Sequence, residues 1–245
     1  MNTKLITVIF SVWTSATYAF NPEHVDQLRN TGSCPRCDLS SFNLPNTANL
    51  TRANLKGANL SGSMLSGANL TGADLTSANL VGAKLIAADL SGAILSGADL
   101  SGANLTAANL TAASLNGANL TAANLTGNAK LSGANLSGAR LTGANLSRST
   151  LNNANLTDAD LNEVNFNDVN LTNASLAGAK LSGAYLIGAT LSGANLTSAN
   201  LAGANLSDAN LNRANLTGAK LNGANLTGAN LKDTNLTDVV GLKRF

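Results

Sequence analysis

The sequence predicts an all-β protein built as a parallel β-solenoid, and three observations support that prediction. Leucine recurs at every fifth position from Leu50 to Leu125 and again from Leu131 to Leu236, with Phe166 as the one exception. The residue two positions before each leucine is almost always alanine. Small, turn-forming pairs such as Ser-Gly, Thr-Gly and Thr-Ala follow the leucines. A short internal repeat of this kind predicts one structural unit stacked many times.

A period of five residues fits an extended chain and not an α-helix. Residues five apart on an α-helix are rotated by about 140°, so the leucines would spiral around it without forming a face. In an extended chain, residues two apart point to the same side, so alanine and leucine face inward together. Each repeat is therefore predicted to be a strand of about three residues followed by a corner of two small residues.

The composition argues against an enzyme and against a nucleic-acid-binding surface. The 245 residues are 44% hydrophobic, 3% aromatic and 11% charged, with a formal net charge of +2. Such a charge gives no strong attraction for nucleic acid, which we do not expect as a partner. His24 is the sole histidine, so a Ser-His-Asp arrangement along the repeats is excluded. We therefore predict no catalytic, cofactor-binding or metal-binding residues.

Residues 1–19 have the pattern of a secretory signal peptide. Lys4 precedes an apolar run from Leu5 to Trp13, and small residues precede a cleavage position after Ala19. The apolar run is too short to span a bilayer, which needs about 20 residues. The sequence therefore predicts export to the periplasm or the extracellular space without a membrane span. The alternative is a buried N-terminal strand.

Residues 20–37 are predicted to form an N-terminal cap that contains a short helix. Asn21 and Pro22 are typical of a helix start, and Val25 and Leu28 give the helix one apolar side. The ends of a solenoid expose unpaired strand edges and need covering. We therefore expect the helix to cover the first coil.

The C-terminal residues 241–245 are predicted to cap the opposite end. Leu242 and Phe245 are apolar, and Leu242 follows Leu236 at a spacing of six residues. These two side chains are expected to plug the last coil.

Cys34 and Cys37 form the one motif with chemical reactivity, Cys-Pro-Arg-Cys. Counting back from Leu39 puts Cys37 at the inward position that alanine usually holds and Cys34 at the preceding inward position. We therefore predict a structural disulfide or a buried thiol pair, with redox catalysis as the alternative, although no βαβ pattern surrounds the pair. Zinc would need two further ligands, for which His24 offers the only nitrogen, and Asp38 excludes a haem attachment signal.

The repeats Ala53-Asn54-Leu55-Lys56-Gly57 and Ala98-Asp99-Leu100-Ser101-Gly102 resemble those of the pentapeptide-repeat family, A-[ND]-L-x-x. The resemblance covers residues 38–240. It implies a right-handed quadrilateral β-helix with four pentads in each coil, leucine at the central inward position and alanine at the second. The region would then form about ten coils and, at ~4.8 Å per coil, a rod about 48 Å long.

Three spacings of six residues interrupt the repeats, and each predicts one extra residue at a corner or an end. The middle one, around Thr126-Gly127-Asn128, is predicted to be a one-residue bulge that leaves the coil continuous. A domain boundary is the alternative. The three spacings run from Leu44 to Leu50, from Leu125 to Leu131 and from Leu236 to Leu242.

If four pentads make a coil, residues twenty apart stack along the outer surface. One such ladder consists of Arg140, Asp160, Lys180, Asn200 and Lys220, in which opposite signs and neutral residues alternate. The densest acidic cluster lies nearby and is a candidate interaction patch for a basic partner, with a solvated face as the alternative. The patch consists of Asp158, Asp160, Glu163 and Asp168.

The leading functional prediction is a non-enzymatic, exported structural or interaction protein that presents a rigid surface to a protein partner, with an end-to-end homodimer as an expected assembly. The resemblance suggests a second class, because members that protect topoisomerase from quinolones resemble DNA in shape and negative charge. The near-neutral charge and the predicted export argue against that class.

A third class is a surface that binds ice or carbohydrate through regular hydroxyl ladders. Thr197, Thr217 and Thr237 stack on one predicted ladder. Residues without a threonine hydroxyl interrupt the same row, so the uniform face that such binding needs is absent. The interrupting residues are Lys56, Asn116 and Ala177.

Overall fold

The computed structural model describes residues 20–44 and 48–242, which form one helix followed by a stack of parallel β-bridges. The predicted signal peptide, residues 1–19, and the predicted plug residue Phe245 lie outside the described residues. Among the residues described, no helix has the length and apolar character needed to cross a bilayer.

Helix α1, Pro22–Thr31, forms at the predicted position. The Asn21 side chain accepts a hydrogen bond from the Glu23 N–H (2.9 Å), and proline occupies the first turn. Gly32 ends the helix in the left-handed conformation. Val25 and Leu28 are buried in the hydrophobic core, which confirms the predicted apolar side of the helix.

Each coil contains four pentads, because most β-bridges join residues twenty apart, as Asn54 is joined to Asp74. The Leu55 N–H donates to the Asp74 carbonyl (2.7 Å), and the Asp74 N–H donates to the Ala53 carbonyl (2.9 Å). Pairing is confined to isolated bridges at the outward residue of each pentad. Each pentad therefore contains three extended residues, of which the middle one forms the bridge, followed by a two-residue corner directly after the leucine, as predicted.

The bridges form four walls, which we number in chain order. Residues between two walls form the corner named after them, so that corner 3–4 lies between walls 3 and 4. The bridged residues run from Ser33 to Asn235 in wall 1, from Asp38 to Val240 in wall 2, from Asn43 to Asn225 in wall 3 and from Asn49 to Asn230 in wall 4.

The interior is filled by two residues of each pentad. Leu105 and Ala103, for example, are both fully buried, as are the leucine and alanine side chains of the coils around them. Phe166 occupies a leucine position and is also fully buried. Burial of each leucine contributes ~2–3 kcal/mol before the entropy of ordering the chain is subtracted.

The corners combine a left-handed residue with a side-chain cap. In the described pentads, the second residue after the leucine has a positive φ, which is 63° at Gly102 and 58° at Ala107. The residue before the leucine accepts from the residue after it: Asn104 Oδ1 accepts from the Thr106 N–H (3.1 Å) and the Thr106 hydroxyl (2.6 Å). The outward Asn or Asp of the repeat therefore caps the corner and does not merely face solvent.

The extra residue near Asn128 is a bulge within a continuous coil. Asn109 pairs with Lys130, and Asn124 pairs with Asn145, so the bridges across this region join residues 21 apart. Bridges twenty apart resume from Lys130 onward. The prediction of a one-residue bulge is therefore confirmed.

The C-terminal end is less fully buried than the middle of the rod. Leu242 is partly buried and packs against the core. Leu231 and Leu236 are also only partly buried. Leucines of the same type in the middle coils have a further coil on each side.

Candidate functional site

Wall 2 contains the predicted charge ladder. The bridges join Arg140 to Asp160 and Asp160 to Lys180, and they continue to Asn200 and Lys220. Asp160 therefore lies between two basic residues in the coils before and after it. Attraction along the wall offsets the negative charge of Asp160.

The four residues of the predicted acidic patch do not share one surface. Asp158 lies at corner 1–2 and Glu163 at corner 2–3, on the two edges of wall 2, whereas Asp168 lies at corner 3–4. The Asp168 carboxylate pairs with Arg148, with Oδ2 3.6 Å from Nε. Because the chain turns at every pentad, residues that are close in sequence are distributed around the rod.

Cys34 and Cys37 lie beneath helix α1 at the two predicted inward positions, and both are buried. Their sulfur atoms are at disulfide distance, and their Cα atoms are 5.3 Å apart. The Cys37 N–H donates to the Cys34 carbonyl (3.3 Å), so the pair spans an ordinary corner of the coil. Cys34 Sγ also lies 3.0 Å from the carbonyl oxygen of His24.

The imidazole of His24 links the helix to the first coil, because its Nδ1 accepts a hydrogen bond from the Asp38 N–H (2.9 Å). Within residues 20–44 and 48–242, no group of three His, Cys, Asp or Glu side chains is arranged to hold a metal ion.

Wall 3 and its two corners carry most of the exposed large apolar side chains of the described chain. Met64 and Tyr185 lie on the wall itself, and Tyr185 is 51% exposed. Val81 lies at corner 2–3, and Ile86 and Ile187 lie at corner 3–4. Exposed aromatic and aliphatic residues on one face are typical of a protein interaction surface.

The bulge produces a surface groove at corner 3–4, with a volume of about 470 Å³. The groove ends directly before Tyr185 and Ile187, because Asn165 is bridged to Tyr185 and Asn167 Oδ1 accepts from the Ile187 N–H (3.0 Å). We call it the bulge groove. It is lined by Thr126, Gly127, Asn128, Ser147, Arg148, Asn165, Asn167 and Asp168.

The threonines of the predicted hydroxyl ladder are engaged within the protein. The Thr197 hydroxyl donates to Asn195 Oδ1 (2.6 Å) and accepts from Asn215 Nδ2 (3.1 Å). The Thr217 hydroxyl has the same two kinds of partner. These hydroxyls are therefore already used in capping the corners.

Corner capping also changes the acidity of some outward aspartates. The Thr76 hydroxyl (2.6 Å) and N–H (2.9 Å) both donate to Asp74 Oδ1 and hold the pKa of that carboxyl below its ordinary value. Hydrogen bonds from Ser40 likewise lower the pKa of Asp38, against the opposing effect of burial. Donors to a carboxylate favour its charged form.

Sequence reasoning missed Tyr185 and Ile187 as candidate interaction residues. The signal was present, because the outward position before each leucine is usually Asn, and Met64, Lys84 and Tyr185 depart from that rule on the same wall. Recognising the shared wall required a stacking register of twenty that accounts for the extra residue at the bulge.

The family model of pentapeptide repeats matches the chain in eight copies. No curated protein is significantly similar in sequence to the chain. The matched segments are residues 36–72, 48–85, 83–127, 129–168, 165–203 and 199–238.

Solved structures of pentapeptide-repeat proteins resemble this chain. HetL, a pentapeptide-repeat protein involved in heterocyst differentiation regulation from the cyanobacterium Nostoc sp. Strain PCC 7120, is 36% identical with a TM-score of 0.62. The match covers 91% of this chain and 97% of HetL. Rfr23 from the cyanobacterium Cyanothece 51142 is 43% identical over 41% of this chain and 63% of Rfr23, with a TM-score of 0.25.

QnrB1, a plasmid-mediated fluoroquinolone resistance protein, is 21% identical over 72% of this chain and 87% of QnrB1, with a TM-score of 0.37. The family match spans most of the chain, and the HetL match spans nearly all of it. The chain therefore belongs to the pentapeptide-repeat family, whose fold is a right-handed quadrilateral β-helix.

Proposed function

We propose that the protein is a non-enzymatic rod of about ten coils that binds a protein partner through wall 3. The observation that supports this proposal is that most exposed large apolar side chains of the described residues lie along wall 3 and its corners, in two groups, with six bridges between Met64 and Tyr185. Met64, Val81, Ile86, Tyr185 and Ile187 are all found there.

The surface of wall 3 suits protein recognition better than catalysis. Tyrosine and isoleucine supply apolar contact area, and the asparagines around them supply hydrogen-bonding groups. HetL, which has the same fold, is described as involved in regulation. By analogy, we propose that this protein also acts by binding another protein and not by catalysis.

We also propose that the mature protein is exported and that Cys34 and Cys37 form a disulfide there. The signal-peptide pattern of residues 1–19 and the disulfide distance between the two sulfurs support this proposal. Mass spectrometry of the protein from a fractionated host should find a new N-terminus at Phe20 and a mass lower than that of the dithiol by two hydrogen atoms. An uncleaved N-terminus in the cytoplasmic fraction would contradict export.

An end-to-end homodimer remains a second proposal about partners. The C-terminal coil has a concavity of about 280 Å³ lined by Leu221, Ala224, Leu226 and Leu242, among others. Val240 on wall 2 of this coil is half exposed. Sedimentation equilibrium should show a dimer that Val240→Lys dissociates, and a monomer at all concentrations would exclude this assembly.

The role of wall 3 is tested by comparing two surfaces of the same protein. The variant Tyr185→Ser/Ile187→Ser removes apolar area from wall 3 and corner 3–4. Ile94→Ser is the matched control, because Ile94 is similarly exposed but lies on wall 1. The wild type and Ile94→Ser should capture the same proteins from an envelope extract. The double variant should fail to capture them. Equal capture by all three proteins would contradict the proposal.

A further inference from the structure

The bulge interrupts the hydrogen-bond ladder along corner 3–4. In the preceding coil the left-handed Ala107 N–H donates to the Thr126 carbonyl (2.8 Å), and in the following coil the Arg148 N–H donates to the Asn167 carbonyl (3.0 Å). Between them, the N–H groups of residues 127–129 and the carbonyl of Ser147 make no such bond within the described part of the chain. The ladder therefore has one open step, which borders the bulge groove.

The position of Gly127 explains the open step. A Cβ atom on Gly127 would lie 2.8 Å from Thr106 Cγ2 and 3.2 Å from the Ala107 nitrogen, both in the preceding coil. In regular corners a Cβ would come close only to side-chain atoms of the preceding coil, as at Gly188, or would meet no atom within 4 Å, as at Gly102. The close approach to the Ala107 backbone nitrogen distinguishes Gly127 from these corners. The bulge thus lies tight against the coil before it, and the bulge groove opens toward the coil after it.

The groove presents unpaired donors together with unpaired acceptors. Asn165 Oδ1 accepts from the Asn167 N–H (3.1 Å) and Asn167 Oδ1 accepts from the Ile187 N–H (3.0 Å), so their side-chain oxygens are occupied. The amide NH₂ groups of both side chains make no hydrogen bond within the described residues. With the N–H groups of Gly127 and Asn128 they offer donors, and the Ser147 carbonyl and hydroxyl and the Asn128 side-chain oxygen offer acceptors.

The charges at the groove favour an uncharged ligand. Arg148 and Asp168 form an ion pair across adjacent coils, with Nε and Oδ2 3.6 Å apart, and both side chains are largely exposed. Their opposite charges offset each other, so a phosphate or a polyanion gains little attraction here. A peptide main chain carries both the acceptors and the donors that the open step lacks.

We propose that the bulge groove binds an extended, uncharged segment of a partner protein through its main chain. Its carbonyl groups accept from the N–H groups of Gly127 and Asn128, and one of its N–H groups donates to the Ser147 carbonyl. An apolar side chain of the same segment packs on Tyr185 and Ile187 in the next coil. This inference rests on the proposed function of wall 3 and names its partner as an extended peptide, bound by the mode of strand addition.

A regular corner elsewhere in the chain provides the reference for testing this proposal. Deleting Asn128 turns residues 125–131 into Leu-Thr-Gly-Ala-Lys-Leu, which is identical to residues 216–221. Gly218 in that regular corner donates to the Thr237 carbonyl (2.9 Å). The deletion is therefore expected to restore the ladder and close the groove while keeping every coil in register.

The probe is a phage-displayed library of random twelve-residue peptides selected on the full chain, followed by anisotropy measurements with the selected peptides. We expect uncharged peptides with an apolar residue, whose affinity falls at least tenfold with the Asn128 deletion and with Tyr185→Ser. A second bulge, made by inserting Asn after Gly218, is the control and should add no second binding site. Hydrogen exchange should show amides 127 and 128 protected only when the peptide is bound.

Two results would overturn the proposal: selection that yields no binder, and peptides that bind the wild type and the Asn128 deletion equally. If binding survives the deletion but is lost with Tyr185→Ser, the groove inference fails while the role of wall 3 stands. If neither change affects binding, the proposed function fails as well.

Discussion

Two corners of this rod differ by a single residue and behave differently. Residues 125–131 and residues 216–221 share the sequence Leu-Thr-Gly-Ala-Lys-Leu, except that Asn128 is inserted in the first. In both, the threonine N–H is capped by the preceding asparagine at 3.1 Å. Gly218 continues the ladder to the next coil, whereas Gly127 does not. The backbone of a corner can therefore open while the leucines beneath it stay fully buried.

The packing of the core and the hydrogen bonds of the corners therefore depend on different features of the sequence. Leucine stacking depends only on every coil contributing the same inward residues, and the insertion adds none. The hydrogen bonds of the corner depend on the number of residues between one wall and the next. Four predictions test this separation, beginning with the largest expected effect.

Truncating the leucine before each corner should destabilise the protein equally. Leu125→Ala and Leu216→Ala each remove a fully buried side chain, and each should lower the free energy of unfolding by ~2–5 kcal/mol. Urea denaturation followed by circular dichroism measures both. An effect at Leu125 smaller by more than ~1 kcal/mol would mean that the bulge has loosened the core.

Alanine at the glycine of each corner should distinguish the two. Gly127 and Gly218 have φ of +71° and +67°, where alanine costs about 1–2 kcal/mol. At Gly127 the new Cβ would lie 2.8 Å from Thr106 Cγ2, which should add about 1 kcal/mol or more. At Gly218 it would lie in ordinary contact with Ser198 Oγ at 3.6 Å. In thermal unfolding, the melting temperature of Gly127→Ala should therefore be lower than that of Gly218→Ala. The reverse ranking would show that the bulge is not tight against the coil before it.

Deleting Asn128 should stabilise the protein. One restored ladder bond from Gly127 to Ser147 is expected to raise the free energy of unfolding by about 1 kcal/mol, and inserting Asn after Gly218 should lower it by a similar amount. Urea titrations of both variants and of the wild type measure these two changes in the free energy of unfolding. A deletion that destabilises the protein would show that the bulge is needed for folding.

The smallest expected effect concerns a corner capped by a carboxylate instead of an amide. The pKa of Asp74 is lowered in the folded protein because Thr76 donates to it. Its contribution to stability is therefore present above the ordinary pKa of an aspartate and is lost as the pH falls through the folded value. Asp74→Asn keeps an acceptor, so its stability should decline less than that of the wild type in acid solution, as measured by urea unfolding at successive pH values. Parallel declines would contradict the role of the carboxylate.

The repeat architecture, the helix at Pro22–Thr31, the inward positions of Cys34 and Cys37 and the bulge near Asn128 could all be predicted from the amino-acid sequence alone. These features follow from local rules, because the side of an extended chain, the start of a helix and an extra residue in a fixed period are all visible along the chain. The charge ladder from Arg140 to Lys220 could be predicted because the resemblance to pentapeptide-repeat proteins implied that residues twenty apart stack.

The folded structure was needed to show which outward residues share a surface and which backbone groups remain unpaired. The predicted acidic patch separated because Asp168 lies one wall further around the rod than Glu163, where it meets Arg148. Tyr185 and Ile187 adjoin the bulge groove although some sixty residues separate them from Gly127. Residues that adjoin on the surface of the rod belong to successive coils. Which side chains meet there therefore depends on the stacking register and not on closeness in the sequence.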